Sequence, residues 1–403
     1  MTIRATSALP TARPTALAGL GLLAALGLTA CSSSAGDDGP KAGGDAGRGP
    51  AAERRVANVE ITAANGCVPD KATFAAGGIT FKIKNKDATA VSEVELLSGA
   101  RIVGEKENLP PGFTGEFAVT VPAGKYTLYC PGASTERRPI TVTGSAATGS
   151  TDVAALLKTA TQGYGEYVET QVASLLTAGQ RLATALRGQD LAAAQQAYVD
   201  ARPFYEKIEP VAESFVVGQD SIDADLDARE GDVPAAKWRG FHRIEKALFQ
   251  KKSLTGLATY GDQLVNDVKR LQKLTEGLAF QPTELANGAQ ELLDEVAASK
   301  ITGEEERYSR IDMLDIDDNV EGADQAFAQL QPALQKIDPA LTKTIADRFG
   351  ALDRVIDEYR TTSNPSGFKL YGELTAADKR KVAAGVKAVQ EPLSKVASKV
   401  ANA

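Results

Sequence analysis

Thr143-Gly-Ser-Ala-Ala-Thr-Gly-Ser-Thr151 separates two different rhythms in this chain. Before it, Phe117-Ala-Val119-Thr-Val121 and Tyr126-Thr-Leu128-Tyr129 set apolar side chains at every second position, the period of a strand with one buried face. After it, Leu156, Leu157, Ala160, Tyr164, Tyr167, Val168, Val172, Leu175 and Leu176 recur every three or four residues, the period of a helix with one buried stripe. Small, polar and flexible residues carry neither pattern, so 143–151 reads as a linker. The fold class follows: a β domain first, an all-α domain second.

Working upstream, Val59-Glu-Ile61, Ile79-Thr-Phe81-Lys-Ile83 and Val91-Ser-Glu-Val94 add three strands. Asn65-Gly66, Gly77-Gly78, Pro110-Pro111-Gly112 and Pro122-Ala-Gly124 punctuate them with turns. Five clear strands and two or three weaker ones over 56–143 suggest a β-sandwich. Working downstream, helices are expected over 191–217, 234–250, 255–277, 282–299, 316–336, 338–360 and 375–401. With the helix that opens at 152, they form a bundle over 152–403, long enough for a substantial core.

The N-terminus reads as an export signal. Arg4 and Arg13 precede the apolar run Leu17 to Leu28, which is too short for a convincing membrane span. The run ends in Leu28-Thr-Ala-Cys31, similar to a bacterial lipobox, in which the cysteine becomes the lipidated N-terminus. The expectation is a lipoprotein signal peptide over 1–30 and lipidation at Cys31, so that the protein is extracytoplasmic and tethered to the cell membrane. Residues 31–55 are rich in Ser, Gly, Asp, Ala and Pro and read as a disordered tether with a reach of roughly 25–30 Å. The formal net charge is −7, and residues 1–30 hold two arginines and no acid, so the rest of the chain carries −9. That balance argues against nucleic acid or an anionic lipid surface as partner.

One histidine occurs in 403 residues. It sits in Gly240-Phe-His242-Arg-Ile-Glu245, where His-x-x-Glu puts an imidazole and a carboxylate on one helix face, a common way to offer a metal an N,O pair. Glu206, Glu209 and Glu213 form a stripe if their helix runs through Pro210, and Glu209 is a candidate third ligand. Asp312 opens a carboxylate-dense stretch that includes Asp315, Asp317, Asp318 and Glu321. A solvated face is the competing reading for both groups of acids.

In the β domain, Glu93 and Glu95 share one strand face, and so do Glu105 and Glu107; carboxylates in such clusters suit hard cations. Cys67 and Cys130 admit two readings, a disulfide or a thiolate metal site. Blue copper needs two histidines and a cysteine, and this domain has no histidine or methionine, so a type-1 copper site is excluded. Other motifs fail as well. Asp223-Ala-Asp225-Leu-Asp227 lacks the glycine of a calcium loop, and Asp315-Ile-Asp317-Asp318-Asn319 has Val320 in that place. A single histidine rules out His-Glu-x-x-His zinc-protease chemistry, and no Gly-x-Ser-x-Gly elbow or phosphate loop is present.

The order of parts resembles a known family. A lipobox, a histidine-free β-sandwich and a helical part with Gly240-Phe-His242-Arg-Ile-Glu245-Lys-Ala-Leu are similar to the EfeO-type lipoproteins of EfeUOB iron-uptake systems. The likeness also covers Glu105-Lys-Glu107-Asn-Leu-Pro-Pro-Gly112-Phe, the paired Cys67 and Cys130, and Asp318-Asn-Val-Glu321-Gly322. It implies a cupredoxin-like sandwich followed by an imelysin-like helical domain. It implies iron as cargo, with copper or zinc as further candidates, and as partners an iron permease and a haem peroxidase. It also implies ligands: Cys67, Cys130, Glu93 or Glu95, and Glu105 or Glu107 in the first domain, His242 and Glu245 in the second. One departure is Tyr308-Ser309-Arg310, where the family often carries a second histidine; Glu209 or Asp312 would then complete the helical site. Competing functions are ferroxidase activity, which needs an electron acceptor that the sequence does not supply, and binding of a neutral or anionic polymer. The acidic balance and the single Trp238 argue against the latter.

Overall fold

The computed structural model describes residues 55–145, 151–217 and 220–403. The signal, the tether and Cys31 lie outside them, as does most of the linker. Strands β1 (Val56–Thr62), β2 (Gly66–Pro69), β3 (Thr73–Ala75), β4 (Gly77–Asn85), β5 (Val94–Ser98), β6 (Arg101–Lys106), β7 (Thr114–Val121), β8 (Gly124–Tyr129) and β9 (Arg137–Thr143) form two sheets. Their orders are β2-β1-β4-β7 and β3-β9-β8-β5-β6. β1 runs parallel to β4, and β3 parallel to β9; the other neighbours in the two sheets are antiparallel. Alternate residues such as Val59, Ile61, Phe81, Ile83, Val119 and Leu128 fill the space between the sheets. The strand expected at 91–94 starts three residues later. Asn85 is fully buried, and its amide donates to the carbonyls of Ala88, Val91 and Leu109, which ties 86–93 into a loop instead.

The same core contains Cys67 and Cys130, joined by a disulfide with Sγ–Sγ 1.99 Å. Both are fully buried. Glu95 lies between the core residues Val94 and Leu96 and so points to the opposite face of its sheet. Of the two readings of the cysteines the disulfide holds, so the thiolate ligands implied for the first domain are corrected. The sulfurs are bonded to each other inside the core, on the other side of the sheet from Glu95 and its cross-strand partner Glu105.

Helices α1 (Thr151–Leu186), α2 (Leu191–Val199), α3 (Arg202–Glu206), α4 (Glu209–Glu213), α5 (Ile222–Leu226), α6 (Phe241–Glu245), α7 (Leu257–Thr275), α8 (Pro282–Ala298), α9 (Asp312–Ile337), α10 (Pro339–Asp357), α11 (Ala376–Leu393) and α12 (Val396–Ala401) make the second part. The helix expected at 191–217 is three short ones. Pro203 and Pro210 fall in the first turns of α3 and α4, where the missing N–H costs nothing, and each forces a new start. The stripe of Glu206, Glu209 and Glu213 is therefore not one helix face. The helix expected at 234–250 begins only at Phe241, because Gly240 has φ +83° and breaks the turn before it. The helix expected at 375–401 breaks between α11 and α12 at Ser394 and Lys395. No helix among the described residues is long and apolar enough to cross a membrane.

The sandwich and the helices pack in one compact unit. Ala401 of α12 lies so close to Gly78 that a Cβ there would stand 2.0 Å from its carbonyl oxygen. Asn287 of α8 donates to Ala118 O of β7 at 3.1 Å, and the Thr283 hydroxyl accepts from Thr120 N–H at 2.9 Å. Removing the disulfide with Cys67→Ala and Cys130→Ala, across a separation of 63 residues, is expected to cost about 2–5 kcal/mol of stability. Denaturant unfolding measures it, and an unchanged midpoint would refute the bridge.

Candidate metal centre

His242 is the fourth-from-last residue of a short helix and is 1 % exposed. Three features of the backbone put it where it is. Gly240 opens α6 against the end of α5, and a Cβ at Gly240 would lie 2.1 Å from Leu226 O, so no other residue allows the approach. That contact brings His242 beside Asp227, the residue that ends α5. The turn after Glu245 widens to a π-helix over Lys246–Gln250, a distortion common at functional sites.

The ring faces two ways. Nδ1 lies 3.2 Å from Glu245 Oε2, and Nε2 lies 3.2 Å from Glu305 Oε1 and 3.6 Å from Asp227 Oδ1. Glu245 is itself fixed, since its Oε1 accepts from the backbone N–H groups of Tyr308 and Ser309, both at 2.7 Å. One potential ligand atom from each of Asp227, His242 and Glu305 lies within 4.8 Å of the others, and all three residues are buried. Among the described residues this is the group that could hold a metal ion. The His-x-x-Glu pair is real, but in this geometry Glu245 orients the ring through Nδ1. The atoms that converge with Nε2 belong to Asp227 and Glu305.

Charged groups surround this centre, most of them out of reach of water. Arg202 is fully buried; it donates to Asp227 Oδ1 and Glu206 Oε1 and lies 3.0 Å from Asp315 Oδ2 and 3.1 Å from Glu306 Oε1. Arg229 reaches Glu305 Oε2 at 3.0 Å. Lys300, also fully buried, reaches Glu206 at 2.5 Å and Glu209 at 2.8 Å. Burial alone would raise the pKa of Asp227 and Glu305, but Arg202 and His242 hold Asp227 below its ordinary value, and Lys300, His242 and Arg229 hold Glu305 well below its own. Burial disfavours the imidazolium, yet the Asp227 charge and the bonds to Asp227, Glu245 and Glu305 push the His242 pKa well up. Burial raises Glu306 and Asp315 well above the usual carboxylate range.

The remaining expected ligands lie elsewhere. Glu209 is held by Lys300, outside the His242 group. Asp312 accepts from Glu306 N–H at 3.3 Å, with its pKa raised to about 7 by burial. Both are buried and lie outside the converging group of Asp227, His242 and Glu305. Arg310 turns away from the centre, with φ +66°; it donates to Gly303 O at 2.9 Å and lies over the Tyr371 ring at 4.7 Å. Trp238 is packing: it is 5 % exposed, and its N–H donates to Ala228 O. Asp227 stood in a motif that fails as a calcium loop, and Glu305 stood unremarked in Glu304-Glu305-Glu306.

In the sandwich, Glu95 and Glu105 are directly opposite across β5 and β6. Burial first, then Glu93, raises the Glu95 pKa to about 8. Burial and neighbouring acids raise Glu105 well above its usual range and Glu107 to about 7, and burial raises Glu93.

The Imelysin family model matches residues 160–396 and the Cupredoxin-like domain model matches residues 22–142. Fold and site thus define a protein with a cupredoxin-like part followed by an imelysin part. The chain is 36 % identical over 344 residues to the protein named Iron uptake system component EfeO from Escherichia coli strain K12, covering 85 % of this chain and 91 % of the relative. The protein of that name from Shigella flexneri matches to the same extent, and the one from Escherichia coli O1:K1 is 37 % identical over 332 residues, 82 % of this chain and 88 % of the relative. The chain belongs to the EfeO family of imelysin-domain proteins.

The raised Glu95 pKa has a sign that can be checked. Between the ordinary value of 4.5 and about 8 the folded protein keeps a proton that the unfolded chain has lost, so stability falls as pH rises through that window. Chelator-treated protein should melt at lower temperature at pH 8 than at pH 5, and Glu95→Gln should make the decline shallower. Parallel melting curves for the two proteins would contradict this.

Proposed function

We propose that this chain is the extracytoplasmic iron-binding component of an iron-uptake system, tethered to the membrane by lipid on Cys31. It captures iron and passes it to a permease, in a system that also includes a haem-peroxidase partner. The observation that carries the reading is the buried convergence of Asp227, His242 and Glu305 within 4.8 Å. The names of the relatives point the same way.

The donor set suits the cargo. Two carboxylates and one imidazole are the oxygen and nitrogen ligands that iron accepts, and the same set admits copper or zinc. Glu245 holds the ring through Nδ1 and leaves Nε2 for the cation, the outer-layer role that fixes a metal-binding imidazole. Arg202 and Arg229 keep the two carboxylates ionised and in place before iron arrives. The proton held on Nε2 leaves as the cation enters, so uptake is opposed by acid. Glu209 and Asp312 act one layer out, through Lys300 and the backbone of Glu306.

Equilibrium titration of the soluble form, residues 32–403, with ferrous iron under nitrogen tests the reading. Binding at micromolar iron is expected. His242→Ala should abolish it at this centre, and Asp227→Asn and Glu305→Gln should each weaken it at least about tenfold. Glu245→Gln should cost about 10–100-fold through the ring orientation. A wild type that binds no iron, or a His242→Ala protein indistinguishable from it, would overturn the proposal.

A further inference from the structure

An ion bound for the His242 centre needs a way in, because Asp227, His242 and Glu305 are all buried. Among the charged side chains that pair with these three in the described residues, Arg202 and Glu245 are fully buried, and only Arg229 reaches solvent. The Arg229 side chain is 34 % exposed, whereas its partner Glu305 is 4 % exposed. Arg229 therefore spans the distance between the surface and the centre. It takes the outer oxygen of Glu305: the guanidinium meets Oε2 at 3.0 Å, while Oε1 faces His242.

Arg229 belongs to a loop that joins one member of the converging group to another, with Asp227 before it and His242 after it. At its base the Trp238 ring N–H donates to Ala228 O at 2.8 Å. Arg239, next in the chain, pairs with Asp225 at 2.6 Å and with Asp267 at 2.9 Å and pins that end to α7. Turns inside the loop keep its shape: the Arg229 N–H donates to the Asp232 carboxylate at 2.9 Å, and the Lys237 N–H to Pro234 O at 2.7 Å. Compact loops whose ends lie together are often functional. No residue from 229 to 237 belongs to the apolar core of the helices, and most of them are exposed. Besides Arg229, Glu230 ties the loop to the body: its carboxylate accepts from Lys246 Nζ and from the Tyr308 hydroxyl. Ion pairs open to water contribute little, so the loop lifts without unpacking the core.

We propose that residues 229–237 form the entry strap of the His242 centre, with Arg229 as its plug and Glu230 as its latch. When the strap lifts, Arg229 leaves Glu305, and water and the ion reach Nε2 of His242 and the carboxylates of Asp227 and Glu305 from that side. When it falls back, Arg229 returns to Oε2 of Glu305 and leaves Oε1 to the ion. The same motion that admits the ion shuts it in, as closing loops do over other buried sites. The latch shuts on the segment that orients the ring, since Tyr308 gives its hydroxyl to Glu230 and its backbone N–H to Glu245. Arg229 and Glu230 are positioning residues and not ligands. The inference rests on the reading of Asp227, His242 and Glu305 as the iron site, and adds the route to it.

The test uses residues 32–403 and follows ferrous iron under nitrogen by stopped flow. Trp238, the single tryptophan of the chain, lies at the base of the strap with Lys246 Nζ 5.6 Å from its ring, so its emission reports the latch. Glu230→Gln should increase quenching of Trp238 by acrylamide in the iron-free protein. It should accelerate both binding and release of iron about two- to fivefold, the scale of one exposed ion pair, and Arg229→Gln should do so by at least as much. If Arg229 only clamps Glu305, Arg229→Gln speeds release and leaves binding unchanged, and the inference falls. The second arm joins Glu230→Cys to Lys246→Cys with a short bismaleimide; Cys67 and Cys130 are bonded to each other, so the new thiols are the ones that react. Linking should slow binding and release at least about tenfold against the same double variant before linking. A linked protein that takes up iron as fast as the unlinked one shows that the ion enters elsewhere and overturns the strap while the iron site stands. A wild type that binds no iron defeats the carrier reading and the strap with it.

Discussion

A guanidinium sealed from water organises the helical part. Arg202 is fully buried and serves carboxylates from α3, from the end of α5, from the 303–311 segment and from α9. Three of those segments are short or irregular where they meet Arg202, and the fourth is the first turn of the long helix α9. A buried charge whose partners are removed costs about 3–5 kcal/mol, so the segments and the arginine depend on one another. The ring of Phe241 lies 5.1 Å from the guanidinium, which carries the ordering on to the helix that bears His242.

The convergence of Asp227, His242 and Glu305 is a consequence of that arrangement. Arg202 fixes Asp227 from one side, and the close approach at Gly240 delivers His242 from the other. Arg229 and the turn around Gly303 then bring Glu305 to the remaining side of Nε2. The site is thus assembled from three places in the chain by charge pairing and one glycine contact. Acids outnumber the cations around it, and burial pushes Glu306 and Asp315 well above the usual carboxylate range while Arg202 pulls them back down.

Much of the fold was legible because it is periodic. The change of period at 143–151 separated strands from helices, and long amphipathic elements such as α7, α8 and α9 fell close to where they were expected. Short elements were not legible. Pro203 and Pro210 broke a helix whose apolar spacing continues across them, and Asn85 turned an expected strand into a loop by binding its carbonyls. Of the site, His242 was visible as the single histidine, and its partner Glu245 as a helical neighbour. Asp227 and Glu305 were not. Glu305 is 63 residues away, and nothing local marks it out from Glu304 and Glu306. The glutamates of the sandwich were visible as strand neighbours, but only the packing shows that Glu105 and Glu107 lie beside α8 and that the cysteines are bonded inside the core.

The central claim is that the buried charged cluster around Nε2 of His242 is where iron binds. Anomalous diffraction at the iron edge from crystals of iron-loaded protein tests it most directly. The account predicts a peak between His242 Nε2, Asp227 and Glu305, with Glu245 on the far side of the ring. A peak that lies elsewhere with these three residues still bonded to one another, or no peak in protein shown to carry iron, would contradict it.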